Sequence, residues 1–293
     1  MFGPQLEPPP SPPPAEVTTF DEQYAPDVRE VTAGGEDQAA GKRLSVSLNV
    51  TLTSDYTFRG LAQRHDRPSI QPGGELAYRV CDTEHTSTSV FAGLWGDFRV
   101  NDLGSGEGIG ERFYELDLYA GAEFAWKRLT TRATFTEYTS PTGDFARIHE
   151  ASVGVSFDDS GLYHGWFERF SLNPSALVAF EFGPDGADGG AHAGVFLSLG
   201  VEPTIALGQT RLGKVSISAP VEVGLSLHDY YETATGDKTY GYLNVGGRLT
   251  IEPGGVWPVI TLAADYTDFG PGAETINGRG GEFSVWMDMA WSF

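Results

Sequence analysis

The stretch that decides the fold is LSVSLNVTLT, residues 44–53. Leu44, Val46, Leu48, Val50 and Leu52 alternate with Ser45, Ser47, Asn49, Thr51 and Thr53. Successive side chains of a strand point to opposite faces, so one face here is aliphatic and the other polar. The alternation runs on through Tyr56 and Phe58, beyond the usual length of a soluble strand. The C-terminus repeats it. Phe283, Val285, Met287, Met289, Trp291 and Phe293 share one face, and Glu282, Ser284, Trp286, Asp288, Ala290 and Ser292 share the other. Asp288 lies between two methionines, which suits a strand with lipid on one side and a polar lumen on the other.

Between these ends the pattern predicts ten more strands, near 69–81, 86–99, 112–126, 128–140, 147–157, 172–183, 192–208, 215–228, 239–252 and 258–270. Several alternate cleanly: Val215, Ile217, Ala219, Val221, Val223, Leu225 and Leu227 oppose Ser216, Ser218, Glu222, Ser226 and His228. Strands 128–140 and 172–183 alternate less well. The whole predicts an all-β fold, a transmembrane antiparallel up-and-down β-barrel of about twelve strands over residues 44–293. With both strand termini in the periplasm, 101–111, 183–191, 229–238 and 270–280 become outer loops, rich in Gly and Asp/Glu. Lys127-Arg128, 208–214 and 253–258 become inner turns. Segment 158–170, with Tyr163, Trp166, Phe167 and Phe170, is too long and aromatic for a simple turn, and predicts a short amphipathic element or a wall-packed turn. Tyr56, Phe58, Trp126, Tyr230, Tyr231, Trp257, Tyr266, Phe269 and Phe293 gather at strand ends, where amphipathic rings favour a membrane boundary.

Composition narrows the alternatives. The chain has 293 residues with 40% hydrophobic content and 38 glycines, and no run approaches the ~18 apolar residues of a membrane helix. A formal net charge of -21 disfavours nucleic acid, whose phosphates need Lys and Arg. The single cysteine, Cys81, cannot close an intramolecular disulfide and is expected to be partly buried near a turn. Residues 1–43 are Pro-rich and acidic, and read as a disordered periplasmic tail, with a partner contact as the alternative. An outer-membrane protein needs an export signal. Residues 1–10 show neither a basic nor an apolar segment, so the signal is expected upstream or already removed.

Two segments carry a family resemblance. Leu52-Thr-Ser-Asp-Tyr-Thr-Phe-Arg-Gly-Leu-Ala-Gln63 resembles the opening hairpin signature of the TorF-type porin family of bacterial outer-membrane barrels. The closing Met287-Asp-Met-Ala-Trp-Ser-Phe293 resembles the terminal-strand signal of outer-membrane proteins. The resemblance implies an outer-membrane barrel and a pore, with Trp291 and Phe293 as the insertion signal read by the barrel-assembly machinery. It supplies no catalytic residues. On the pattern alone, Asp55 and Arg59 continue the lumen series of the first strand and can pair there, and Gly60 permits a tight exit into a loop.

Candidate chemistry is sparse. His228-Asp229 ends a strand on the outer side, whereas the Asp158-Asp159 pair falls on the periplasmic side. Adjacent strand residues point apart, so His228 and Asp229 are not expected to orient each other unless the loop turns. His149, His164 and His192 lie on separate segments, without a nucleophile elbow. Gly104–Gly110 lacks the Gly-Lys-Ser/Thr ending of a phosphate loop. Acidic stretches 185–188 and 265–268 offer carboxylates for a surface Ca²⁺ but lack EF-hand spacing. No catalytic, cofactor or metal residues are assigned, and an enzyme is not expected.

The reading that remains is a narrow diffusion pore for small neutral or cationic solutes, in contact with outer-membrane lipid. Its predicted lining is Glu75, Arg79, Asp97, Arg99, Glu115, Asp117, Arg132, Glu150, Glu202, Glu222, Arg248, Asp265, Glu282 and Asp288. A barrel enzyme, or a closed barrel that anchors or binds a partner, is the alternative.

Overall fold

The computed structural model describes residues 43–64, 68–100, 112–165, 168–182 and 193–293. The tail 1–42, loops 101–111 and 183–192, and Trp166 and Phe167 lie outside the described residues, and with them the expectations placed there.

Seventeen strands and one short helix occur among the described residues. They are β1 (Leu44–Thr53), β2 (Tyr56–Phe58), β3 (Leu61–Arg64), β4 (Ser69–Asp82), β5 (Thr86–Arg99), β6 (Phe113–Trp126), β7 (Leu129–Thr139), β8 (Ile148–Phe157) and β9 (Phe170–Ser171). They continue with β10 (Ser175–Phe182), β11 (Gly194–Val201), β12 (Thr204–Thr210), β13 (Gly213–Ser218), β14 (Val221–His228), β15 (Tyr240–Glu252), β16 (Val259–Phe269) and β17 (Gly281–Ser292). The helix α1 (Pro271–Asn277) precedes the last strand.

Every wall pairing is antiparallel. The ring runs β1, β4, β5, β6, β7, β8, β10, β11, β14, β15, β16, β17 and back to β1, a closed barrel of twelve strands. Closure pairs Leu48 with Trp291 and Leu52 with Met287. Phe293 completes it, its N–H donating to the Val46 carbonyl at 2.9 Å and its carbonyl accepting from the Val46 N–H at 3.2 Å. Closure leaves no edge in the twelve-stranded ring, the condition for a β-sheet to sit in lipid.

The alternation sorts the faces. Leu44, Leu48, Leu52, Leu76, Leu94, Leu118, Phe135, Val153, Leu199, Leu262 and Val285 are exposed on the outside, far more apolar surface than a water-soluble exterior carries. Thr51, Gln71, Asp97, Glu115, Glu150 and Asp265 are buried on the inside. An apolar exterior around a polar interior is the inverse of a soluble protein and the signature of a membrane-spanning barrel.

Proline marks three of the places where strand boundaries differ from the sequence reading. The run 192–208 breaks into β11 and β12 at Glu202-Pro203, and 215–228 breaks into β13 and β14 at Ala219-Pro220. The 172–183 run starts its long strand only after Pro174. Proline has no N–H for the ladder. Pairing is carried across the gaps by single bonds, Glu202 N–H to Leu172 carbonyl at 2.8 Å and Ala219 N–H to Pro203 carbonyl at 3.0 Å. Cys81 is exposed on β4 rather than partly buried, beside a bulge that shifts the register between Arg79 and Cys81.

Of segment 158–170, residues 158–165 and 168–170 are described, and Asp159 ties the start of the turn to the wall. The Asp159 carboxylate accepts from the backbone N–H of Leu172 and Asn173 and from the Tyr163 hydroxyl. Burial pushes its pKa up, but these hydrogen bonds outweigh it and hold the carboxyl below its ordinary range.

Candidate functional site

The largest departure from the sequence reading decides the shape of the lumen. β1 ends at Thr53, not at Phe58. The chain then turns inward, and β2 and β3 form a separate two-stranded hairpin that pairs with no wall strand. Arg59 and Gly60 make its tip, both with positive φ (44° and 75°), the backbone of a tight hairpin turn. Tyr56, Phe58, Arg59 and Leu61 are almost wholly buried. Tyr56 and Phe58 are therefore interior residues and not an outer girdle. Tyr56 packs on Trp95 and Tyr114, and Phe58 packs edge-on against Tyr138.

Among the described residues, loops 229–238 and 270–280 fold in to meet the hairpin. Tyr230, Tyr231 and Phe269 were also expected at the membrane boundary. Instead they join Leu61, Phe196, Tyr242 and Ala273 of α1 in one buried cluster. Trp126, Trp257, Tyr266 and Phe293 do stay exposed. Aromatic type alone does not tell a girdle ring from a lumen ring, since both sit near strand ends.

Arg59 is the hub. Its guanidinium pairs with Glu150 at 2.8 Å and Glu181 at 2.9 Å, with side-chain exposures of 0%, 1% and 2%. It also donates to the Tyr230 hydroxyl at 3.2 Å and lies 4.4 Å from the Phe196 ring centroid. Asp55 stays back at the rim, accepting from the Ser54 hydroxyl. The turn's backbone is held as well. Tyr231 donates its hydroxyl to the Arg59 carbonyl at 2.7 Å. The Asn277 side chain, just past the buried face of α1, donates to the Gly60 carbonyl and accepts from the Ala62 N–H, each at 2.8 Å. A Cβ on Gly60 would come within 2.7 Å of the Tyr242 ring, so the close seat of the tip requires glycine.

Thirteen of the fourteen residues read as lining sit at the inward parity of wall strands, Glu202 sits in the gap between β11 and β12, and many of them meet one another. Arg132 pairs with Glu75 across the lumen and with Glu123 at 3.6 Å, its guanidinium over the Phe91 ring. Arg248 pairs with Glu202 at 3.2 Å and lies over Trp286. Glu115 accepts from the Tyr56 hydroxyl at 2.9 Å, Glu282 from Thr57 at 2.6 Å and Asp97 from Gln71 at 3.0 Å. Asp288 accepts from Thr51 at 2.7 Å, Asp265 from the Trp286 indole N–H, and Glu222 from the Tyr242 hydroxyl. Arg79 and Arg99 lie toward the two mouths, paired with Asp82 and Asp144. Beneath the hairpin lies a cavity of about 310 Å³ lined by Asp117, Arg132, Glu150, Glu202, Glu222 and Arg248 among others.

Sequence reasoning missed Glu181 and Glu123; it placed Arg59 on the lumen side but paired it with Asp55, whereas its partners are Glu150 and Glu181. Glu181 shares its face with Leu177 and Ala179, so that strand looks apolar on both sides. Gly60 signals the turn, but nothing in the period-two pattern of residues 52–63 marks the hairpin as folding inward.

The remaining candidates separate. His228 and Asp229 do meet, at 3.3 Å, because Asp229 turns at φ 44°, but the contact is on the exposed outer rim. Asp265 and Asp268 sit on β16 and face opposite sides, Asp265 buried and Asp268 exposed, so 265–268 is no acidic loop. No group of three or more His, Cys, Asp or Glu among the described residues converges as a metal site.

Residues 37–168, under half of the chain, match a family described as a bacterial protein of unknown function, Gcw_chp. No curated protein matches the chain. Among solved structures it is similar to an outer membrane channel from Pseudomonas putida F1 (10% identity, TM-score 0.47, covering 88% of this chain and 98% of that one). It is also similar to the NanC porin (9% identity, TM-score 0.46, 84% and 98%) and the KdgM porin (7% identity, TM-score 0.40, 85% and 99%). These are likenesses of fold alone. The closed wall, its apolar exterior and its charged interior make the molecule a membrane-spanning β-barrel of the bacterial outer-membrane type, its lumen narrowed by an inward hairpin.

Proposed function

We propose that the barrel is a narrow channel for small neutral or cationic solutes, with the β2–β3 hairpin as its constriction. The observation that carries this is the charge of the interior. Glu75, Glu123, Asp97, Glu115, Asp117, Glu150, Glu181, Glu202, Glu222, Asp265, Glu282 and Asp288 point inward, against Arg59, Arg132 and Arg248 in the lumen and Arg79, Arg99 and Arg279 nearer its ends. Charged groups at membrane depth need water or partners, and an excess of carboxylates gives a potential that favours cations. Twelve strands enclose more room than an eight-stranded barrel filled by its own side chains, and less than an open porin. The hairpin takes up part of that room, so the solutes are small. The resemblance of residues 52–63 to TorF-type porins supports the same reading, and those residues are the ones that build the constriction.

Proteoliposome swelling tests it. A small neutral sugar and a small quaternary ammonium salt should enter, and a dicarboxylate of similar size should enter more slowly. Equal exclusion of all three, or faster entry of the dicarboxylate, overturns the proposal.

A further inference from the structure

The cavity beneath the hairpin is not uniformly compensated. Arg132 is engaged by Glu75 and Glu123, Arg248 by Glu202, and Arg59 by Glu150 and Glu181. Asp117 differs. It points inward from β6, is 8% exposed, and lines the cavity. Its Oδ1 has no hydrogen-bond partner among the described residues. The titratable groups that act on it are all acidic: Glu115, two residues before it on the same face, shares a hydrogen bond with it, and Glu150 on β8 and Asp97 on β5 act as like charges. A buried carboxylate oxygen without a donor is costly, and more so among like charges.

We propose that this cavity binds a small organic cation bearing a primary ammonium or guanidinium group, with Asp117 as its anchor. A volume of about 310 Å³ is at the lower end of small-ligand sites. The walls suit such a group. Trp95, Tyr119 and Tyr138 add aromatic surface beside Asp117, and ring faces attract ammonium and guanidinium groups. The interior already holds a guanidinium of its own, that of Arg59, between carboxylates and rings. A divalent metal ion fits less well, because it needs several converging oxygen ligands and no such group converges among the described residues. An ammonium needs one carboxylate and neutral or aromatic neighbours. The inference rests on the channel reading in that the ligand reaches the site through the lumen.

The test is calorimetric titration of the full chain in nonionic detergent with 1,4-diaminobutane, 1,4-butanediol and succinate. The diamine should bind saturably, and the diol and succinate should not. Asp117→Asn should weaken diamine binding about ten- to hundredfold, the loss of one charge-assisted hydrogen bond. Glu84→Gln, in the exposed turn before β5, should leave it unchanged. Heat-modifiable migration on gels reports folding of each variant. If Asp117→Asn fails to fold, Glu222→Gln on the facing wall takes its place and should weaken binding in the same direction. Absent diamine binding, equal binding of the diol, or binding indifferent to these substitutions overturns the inference. Bilayer current from the wild-type chain is recorded alongside. Current without diamine binding leaves the channel standing and removes the site, whereas diamine binding without current keeps the site and removes the channel.

Discussion

Arg59→Asn is the most informative single change in this barrel. Asparagine tolerates the left-handed backbone at φ 44°, so the turn survives while the guanidinium is lost. Glu150 and Glu181, at 1% and 2% exposure, then lose the cation that lies 2.8 and 2.9 Å away. Removing one partner of a buried ion pair costs about 3–5 kcal/mol. At about 1.4 kcal/mol per tenfold, that shifts the docked-to-undocked ratio of the hairpin by roughly two to three and a half decades. The aromatic seat of Tyr56, Phe58 and Leu61 remains, so the hairpin is loosened and the wall is untouched. Single-channel recording in planar bilayers reads the effect as larger or longer openings than wild type. Arg59→Lys keeps the charge but not the planar fork that reaches two carboxylates, and should fall between the two. Unchanged conductance and unchanged open time in Arg59→Asn would refute the hairpin as the constriction.

Other outcomes follow from the same geometry. Gly60→Ala should also open the channel, because its Cβ meets the Tyr242 ring and its φ of 75° is strained for alanine; bilayer recording checks this. Asn277→Ala removes the amide that holds the Gly60 carbonyl and Ala62 N–H, and should loosen the hairpin without altering lumen charge, so openings lengthen while ion preference stays constant. Phe293→Ala, or loss of residues 291–293, should lower the yield of heat-modifiable barrel in the outer membrane; equal yield would contradict Phe293 as an insertion signal. The Asp159 carboxyl is held below its ordinary range, so its stabilising effect is complete above the unfolded-state value of about 3.9 and is lost as pH falls through the depressed folded value. The melting difference between wild type and Asp159→Asn should therefore be constant above roughly pH 4 and shrink below it.

The wall was legible in the sequence, and the plug was not. Alternation from Leu44 to Thr53 and from Phe283 to Phe293 fixes both ends of the barrel because lipid and lumen demand opposite side chains. The same alternation hid the hairpin. Tyr56 and Phe58 continue the apolar parity of Leu52 without a break, and period two persists whether a strand stays in the wall or folds inside. The inward parity of many charged residues was legible, since a charge opposite an apolar series faces away from lipid, but not that of Glu123 and Glu181, whose neighbours on the same face are small or apolar. Nor were the ion-pair partners legible, because Arg59 meets Glu150 and Glu181 across 91 to 122 positions of chain, and only closure of the ring brings them together. Pro203 and Pro220 carried a readable warning of the strand breaks.

The zero-current potential across a planar bilayer in a potassium chloride gradient, recorded for wild type and for Arg59→Asn, reads ion preference and the hairpin constriction together. Both should show a potential of the sign that marks cation preference, declining as total salt rises and screens the carboxylates, with the larger current in Arg59→Asn. Anion preference, or no current from either protein, would contradict the account.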